Sequence, residues 1–183
     1  MPRPGMRWRH ATLSTRRSWM PGDPRGFRNR KHRIHSSGDY RNPPPEQEHI
    51  GLRWYNANRL VREPPVEFGA ALRPIVGATL LRDLVTTSDC RVAALAVAGT
   101  HLHVLVEGPA DDASFRRVIG VAKRAASMRV RDELPGRIWA DGGHFKNVDS
   151  DAYQREVFAY IVNHRAEGAW VWTYRDEFPA DAM

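Results

Sequence analysis

The sequence predicts an α+β fold whose elements run strand, helix, strand, strand, helix, strand, with one further helix near the C-terminal end. Three observations predict it. Apolar residues alternate at period two around 10–15, 90–98 and 101–106, and they recur at helical spacing after Pro74, Ser114 and Asp151. Gly99 and Thr100 link two of the strands so tightly that an antiparallel hairpin is the only short connection.

Taken in order, His10 to Thr15 (HATLST) is a short strand. It is followed by WMPGDPRGF, dense in Pro and Gly, which reads as an ordered turn anchored by Trp19 and Phe27. From about 28 to 65 the chain is rich in Pro and Arg and has no sustained period, as expected of an insertion or long loop within a single domain spanning 1–183. Pro74 suits the first turn of a helix, where its missing N–H costs nothing, and Ile75, Val76, Leu80, Leu81, Leu84 and Val85 give that helix its apolar face as far as Thr87.

Cys90–Ala98 and 101–108 (HLHVLVEG) form the hairpin. Ser114 to Leu134 is helical, with Phe115, Val118, Ile119, Ala122, Ala126 and Val130 inward, and Pro135 and Gly136 end it. Arg137 to Val148 holds an interrupted strand or small hairpin broken at Gly142 and Gly143. The last helix starts after the acidic cap region Asp149, Ser150, Asp151 and closes at Gly168, and AWVWTY follows as a strand-like tail or a loop packed through Trp170 and Trp172. This order is that of a ferredoxin-like βαββαβ antiparallel sheet with an added C-terminal helix, and it places the HLHVLVEG strand centrally.

The formal net charge is +7, carried largely by arginine, whose planar fork pairs with phosphate. Between Arg3 and Arg33 the basic side chains meet one acid, Asp23, so an anionic polymer is the expected partner and a merely solvated basic surface the alternative. A single cysteine, Cys90, allows neither an internal disulfide nor a cysteine zinc cluster. No apolar run follows the basic N-terminus and none is long enough for a membrane span, so a cytoplasmic, soluble protein is expected.

The chemistry concentrates in two places. On the HLHVLVEG strand, His101 and His103 leave one face together while Leu102 faces the other, an outline of a metal site that competes with a plain hydrogen-bonding pair. On the last helix, Tyr160 and His164 (AYIVNH) lie one turn apart, beside a core stripe of Val157, Phe158, Ile161 and Val162. They can point at one spot, or they can be a boundary aromatic and a histidine favoured by the helix dipole. Tyr153, seven residues earlier, is a rival nucleophile.

HLH on a strand followed by YIVN and a polar position on the last helix resembles the HUH (histidine, hydrophobic, histidine) single-tyrosine transposases of small insertion sequences, especially their REP-associated relatives. The resemblance runs from HATLST to GAWVW, and 28–65 is its least family-like part. It implies that His101 and His103 hold a divalent metal, Mg or Mn, that Tyr160 is the nucleophile, and that His164 is the third ligand at a position often filled by glutamine. It also implies a DNA strand transferase that cleaves single-stranded or hairpin DNA through a 5′-phosphotyrosine, acting as a monomer or homodimer. Lys123, Lys146 and Arg25 are candidate DNA contacts and Trp19 and Trp139 candidate stacking residues, while His144, which could serve as a further metal or phosphate ligand, is left outside the assigned site. The competing functions are a catalytically silent DNA-binding protein and a phosphodiesterase in which the histidines activate water.

Overall fold

A computed structural model of the chain describes residues 2–16, 34–35, 38–39 and 66–179. The chain divides into two compact units, Met1–Arg16 with Val66–Met183, and Arg17–Pro65. In the second unit the described residues form a short antiparallel pair, β2 (Ile34–His35) and β3 (Gly38–Asp39). The turn expected at WMPGDPRGF, with Trp19 and Arg25, lies outside the described residues. The first unit closes on itself where the chain leaves and returns, because the Val66 N–H donates to the Arg16 carbonyl at 3.1 Å.

The first unit contains β1 (Met6–Ser14), α1 (Leu72–Arg82), β4 (Arg91–Val97), β5 (His101–Pro109), α2 (Asp112–Arg129), β6 (His144–Asn147), α3 (Asp151–Asn163) and β7 (Trp170–Thr173). Its strands form one antiparallel five-stranded sheet in the order β6-β1-β5-β4-β7, with β5 in the middle. The fold is therefore α+β, as the periodicities predict.

Each sheet face buries a different set of side chains. Leu102, Val104 and Val106 of β5 join Leu13 in a core with Val76, Leu80 and Leu81 of α1 and Phe115, Ile119 and Ala122 of α2. On the opposite face, Leu105 joins Ala94 and Ala96 of β4 under Val157 and Ile161 of α3. The alanines lack bulk, which lets α3 lie close over β4 and β5.

Two boundaries differ from the sequence reading by several residues. β1 begins at Met6 rather than His10, because the charged stretch Met6–Arg9 pairs with β5 as far as Pro109. Arg9 is only 2 % exposed there: its guanidinium lies 4.5 Å over the Phe115 ring and pairs with Asp112 at 2.9 Å. Second, α2 ends at Arg129 rather than Leu134, since Arg131, Asp132 and Glu133 are exposed and offer no apolar contact to prolong it. Of the two readings of the AWVWTY tail, the strand is the one formed: Trp170–Thr173 is an edge strand, β7. Its Trp170 ring occupies the space beside Gly77, where a Cβ would come within 2.1 Å of the indole.

At the far end of β5 the Glu107 side chain is fully buried, and it accepts from the Arg3 backbone N–H at 2.6 Å, from Arg3 Nε at 3.1 Å and from Arg91 Nη2 at 2.7 Å. The Arg91 hydrogen bond is the main reason its carboxyl titrates below the usual range.

Two stability predictions follow from these contacts. Alanine's better helix propensity would by itself make Gly77→Ala stabilising by about 1 kcal/mol. A lowered Tm, equivalent to an overpacking cost of about 1–3 kcal/mol, is expected instead. Glu107→Gln should cost about 1–2 kcal/mol in denaturant unfolding, the charged hydrogen bonds being discounted for the partly exposed arginines. Because the folded carboxyl titrates low, this difference is complete above the ordinary value of 4.5 and fades as the pH falls through the folded value.

Candidate active site

β5 and α3 bring the expected residues together. His101 and His103 project from the α3 side of β5, while Leu102 is fully buried on the other side. α3 starts at Ser150, whose hydroxyl accepts from the Tyr153 N–H at 3.2 Å, and runs until Gly168 ends the following 3-10 turn in the left-handed conformation (φ 78°). Val157, Ile161 and His164 form its buried stripe, so His164 sits on the core side of the helix, 5 % exposed. Tyr160, one turn earlier, is 48 % exposed at the rim.

The ligand nitrogens of His101, His103 and His164 all lie within 4.8 Å of one another. His103 and His164 are nearest, with ring centroids 4.7 Å apart. The Tyr160 hydroxyl is 3.5 Å from His103 Nε2, and its ring meets His103 and His164 edge-on at centroid distances of 5.1 and 4.7 Å. His164 Nδ1 lies 2.9 Å from the Tyr160 carbonyl. A carbonyl only accepts, so Nδ1 carries a proton, and in the neutral ring Nε2 is the bare nitrogen.

The histidines fit a divalent metal on chemical grounds. Burial is the first cause lowering the pKa values of His10, His101 and His103, and His103 is pushed down to about 3 with help from its imidazole neighbours. They are thus neutral at physiological pH, the form in which imidazole binds metal. A three-nitrogen donor set suits Mn²⁺ and later transition metals better than Mg²⁺, which prefers oxygen.

The remaining expected residues are placed as follows. Lys146 of β6 is exposed and pairs in register with His10, and His144 is exposed opposite Thr12, so both flank the site on the histidine face. Lys123 is on α2, which covers the other face, and its ammonium donates to the Ala140 and Gly142 carbonyls, each at 2.9 Å. Trp139 is a core residue: it packs 5.4 Å from Phe68, and its indole N–H donates to the Lys123 carbonyl at 2.8 Å. Tyr153 packs against the α3-side core.

Two site residues were missed by sequence reasoning. His10 Nε2 and Thr12 Oγ1, both from β1, each lie 3.1 Å from His103 Nδ1. Their signal was the polar phase of HATLST, with His10 and Thr12 alternating against Ala11 and Leu13, but only the register of β1 on β5 makes it legible.

Because the folded protein holds these imidazoles neutral while the unfolded chain protonates them near 6.5, unfolding takes up protons as the pH falls. The metal-free protein should therefore be fully stable above that value and lose Tm progressively from about pH 6.5 down to about pH 3, the folded value of His103. His103→Gln should flatten this slope, as thermal unfolding across the range would show. Among the described residues, no helix is long and apolar enough to cross a membrane. The chain matches no protein-family model, and no curated protein sequence matches it.

Proposed function

We propose that the protein is an HUH-type DNA strand transferase that cleaves single-stranded or hairpin DNA through Tyr160. The observation that carries this reading is the approach of a half-exposed phenol hydroxyl to within 3.5 Å of one imidazole in a cluster of three that can hold a metal ion. The reading takes the sheet as a ferredoxin-like βαββαβ unit to which α3 and β7 are added. The order β6-β1-β5-β4, with α1 and α2 sharing one core, supports this.

His101, His103 and His164 would hold the ion, which when bound withdraws charge from the non-bridging oxygens of the scissile phosphate. Tyr160 stands at the open rim of the cluster, where a DNA backbone can reach it. As the phenol gives up its proton to solvent, its oxygen bonds to phosphorus and the bond from phosphorus to the 3′ oxygen breaks, the leaving oxygen taking up a proton from solvent. The products are a 5′-phosphotyrosine and a free 3′-OH. Attack by another 3′-OH reverses the step and releases the phenol, so rejoining needs no nucleotide hydrolysis. Lys146, on the same face as the histidines, would meet a phosphate next to the reacting one. All four groups come from one chain, which favours a self-contained monomer over exchange of the tyrosine helix.

The test is covalent capture with labelled hairpin or single-stranded DNA and Mn²⁺. Wild type and Tyr153→Phe should form an adduct stable to denaturant, and Tyr160→Phe should form none. His103→Ala should lose more than the factor of about 10–100 typical of an outer-shell partner. An adduct persisting in Tyr160→Phe overturns the nucleophile assignment. Free 5′-phosphate ends with no adduct in wild type would instead favour a phosphodiesterase.

A further inference from the structure

We propose that His10 and Thr12 of β1 are positioning residues for His103: together they accept its Nδ1 proton, and so keep Nε2 bare and turned toward Tyr160. This rests on the triad as a metal centre, and not on the transfer chemistry.

An imidazole that binds a metal through Nε2 must carry its proton on Nδ1. The His103 ring is 6 % exposed, so that N–H cannot depend on bulk water and needs an acceptor within the protein. Two face it, His10 Nε2 and Thr12 Oγ1, each at 3.1 Å. Sheet register puts them there. Thr12 stands directly opposite His103, and His10 opposite Leu105, so all their side chains leave the face that carries the histidines.

The other two imidazoles solve the same problem differently. His164 Nδ1 donates to the Tyr160 carbonyl at 2.9 Å, and His101 Nδ1 faces Thr100 Oγ1 at 3.5 Å. Each ring thus has a partner behind it at Nδ1, and the three Nε2 atoms are left to share one ion. Orienting partners of this kind raise the basicity of a ligand and fix its ring.

The geometry also separates His10 from the ligands, although a fourth histidine in the cluster invites the assignment. Its Nε2 faces Nδ1 of His103, the nitrogen turned away from Tyr160. The ring lies 5.8 Å from that of Tyr160, edge-on, and is half-buried, with the exposed Lys146 opposite His10 on the neighbouring strand. A metal ion held by the triad would be reached through His103, not through His10.

Long-range ¹H–¹⁵N NMR of the metal-free protein should find His103 with its proton on Nδ1, and His10→Ala/Thr12→Val should show a mixture of tautomers. Titration with Mn²⁺ or Co²⁺ alone, followed calorimetrically, should weaken by about 10–100-fold in that double variant and less in either single one. His10→Gln, whose side-chain carbonyl can accept the proton, should restore most of the affinity. The Co²⁺ absorption spectrum should be unchanged in His10→Ala, since no ligand is lost. The proposal is overturned if wild-type His103 carries its proton on Nε2, if the double variant binds metal as wild type does, or if His10→Ala alters the Co²⁺ spectrum. Metal binding that behaves as stated, in a protein forming no DNA adduct, would sink only the transferase reading. A wild-type protein that binds no divalent metal overturns both.

Discussion

Pairing along the whole length of β1 and β5, from Met6 opposite Pro109 to Ser14 opposite His101, decides which side chains meet which layer of the molecule. Side chains on a strand alternate, so this one register sends Leu13, Leu102 and Val104 toward α1 and α2, and His10, Thr12, His101 and His103 toward α3. A slip of one residue would bury the imidazoles among Phe115 and Ile119 and expose the aliphatic row. The apolar core and the polar site are thus held by the same pairing, and the large cost of burying the wrong set keeps both in place.

Burial gives the histidine face its chemical character. His103 and His164 are almost sealed by α3, and at His103 desolvation favours the uncharged imidazole. Tyr160 lies on the same helix one turn earlier, yet it stays half exposed because it belongs to the stripe beside Val157 and Ile161 rather than to that stripe. Neutral ligands inside and an accessible hydroxyl at the rim suit the proposed attack on a phosphodiester, which needs the metal held firmly and the nucleophile within reach of a polymer.

The positive charge of the chain is only partly available to an anionic partner. Arg9 is spent on Asp112 and the Phe115 ring, Arg3 and Arg91 on Glu107, and Lys123 on two loop carbonyls. Composition counts these cations as surface charge, whereas the fold uses them to tie the N-terminus to β5 and the loop after α2 to its helix. Lys146 and His144 stand apart from them, exposed on the face that carries the histidines.

The element types, the hairpin at Gly99 and Thr100, the caps at Ser150 and Gly168, and the grouping of His101 with His103 and of Tyr160 with His164 are legible in the residues alone. All of these are local: period, turn chemistry and capping act within a few residues, so they can be read from one stretch at a time. The remaining features are non-local. The extension of β1 through a run of arginines depended on β5 as a partner, and the side of α3 that is buried, Val157 and Ile161, was set by its packing on the alanines of β4. His10 and Thr12 joined the site because a strand distant in sequence lies alongside β5. A polar pair on one strand has no meaning until the strand beside it, and the register between them, are known.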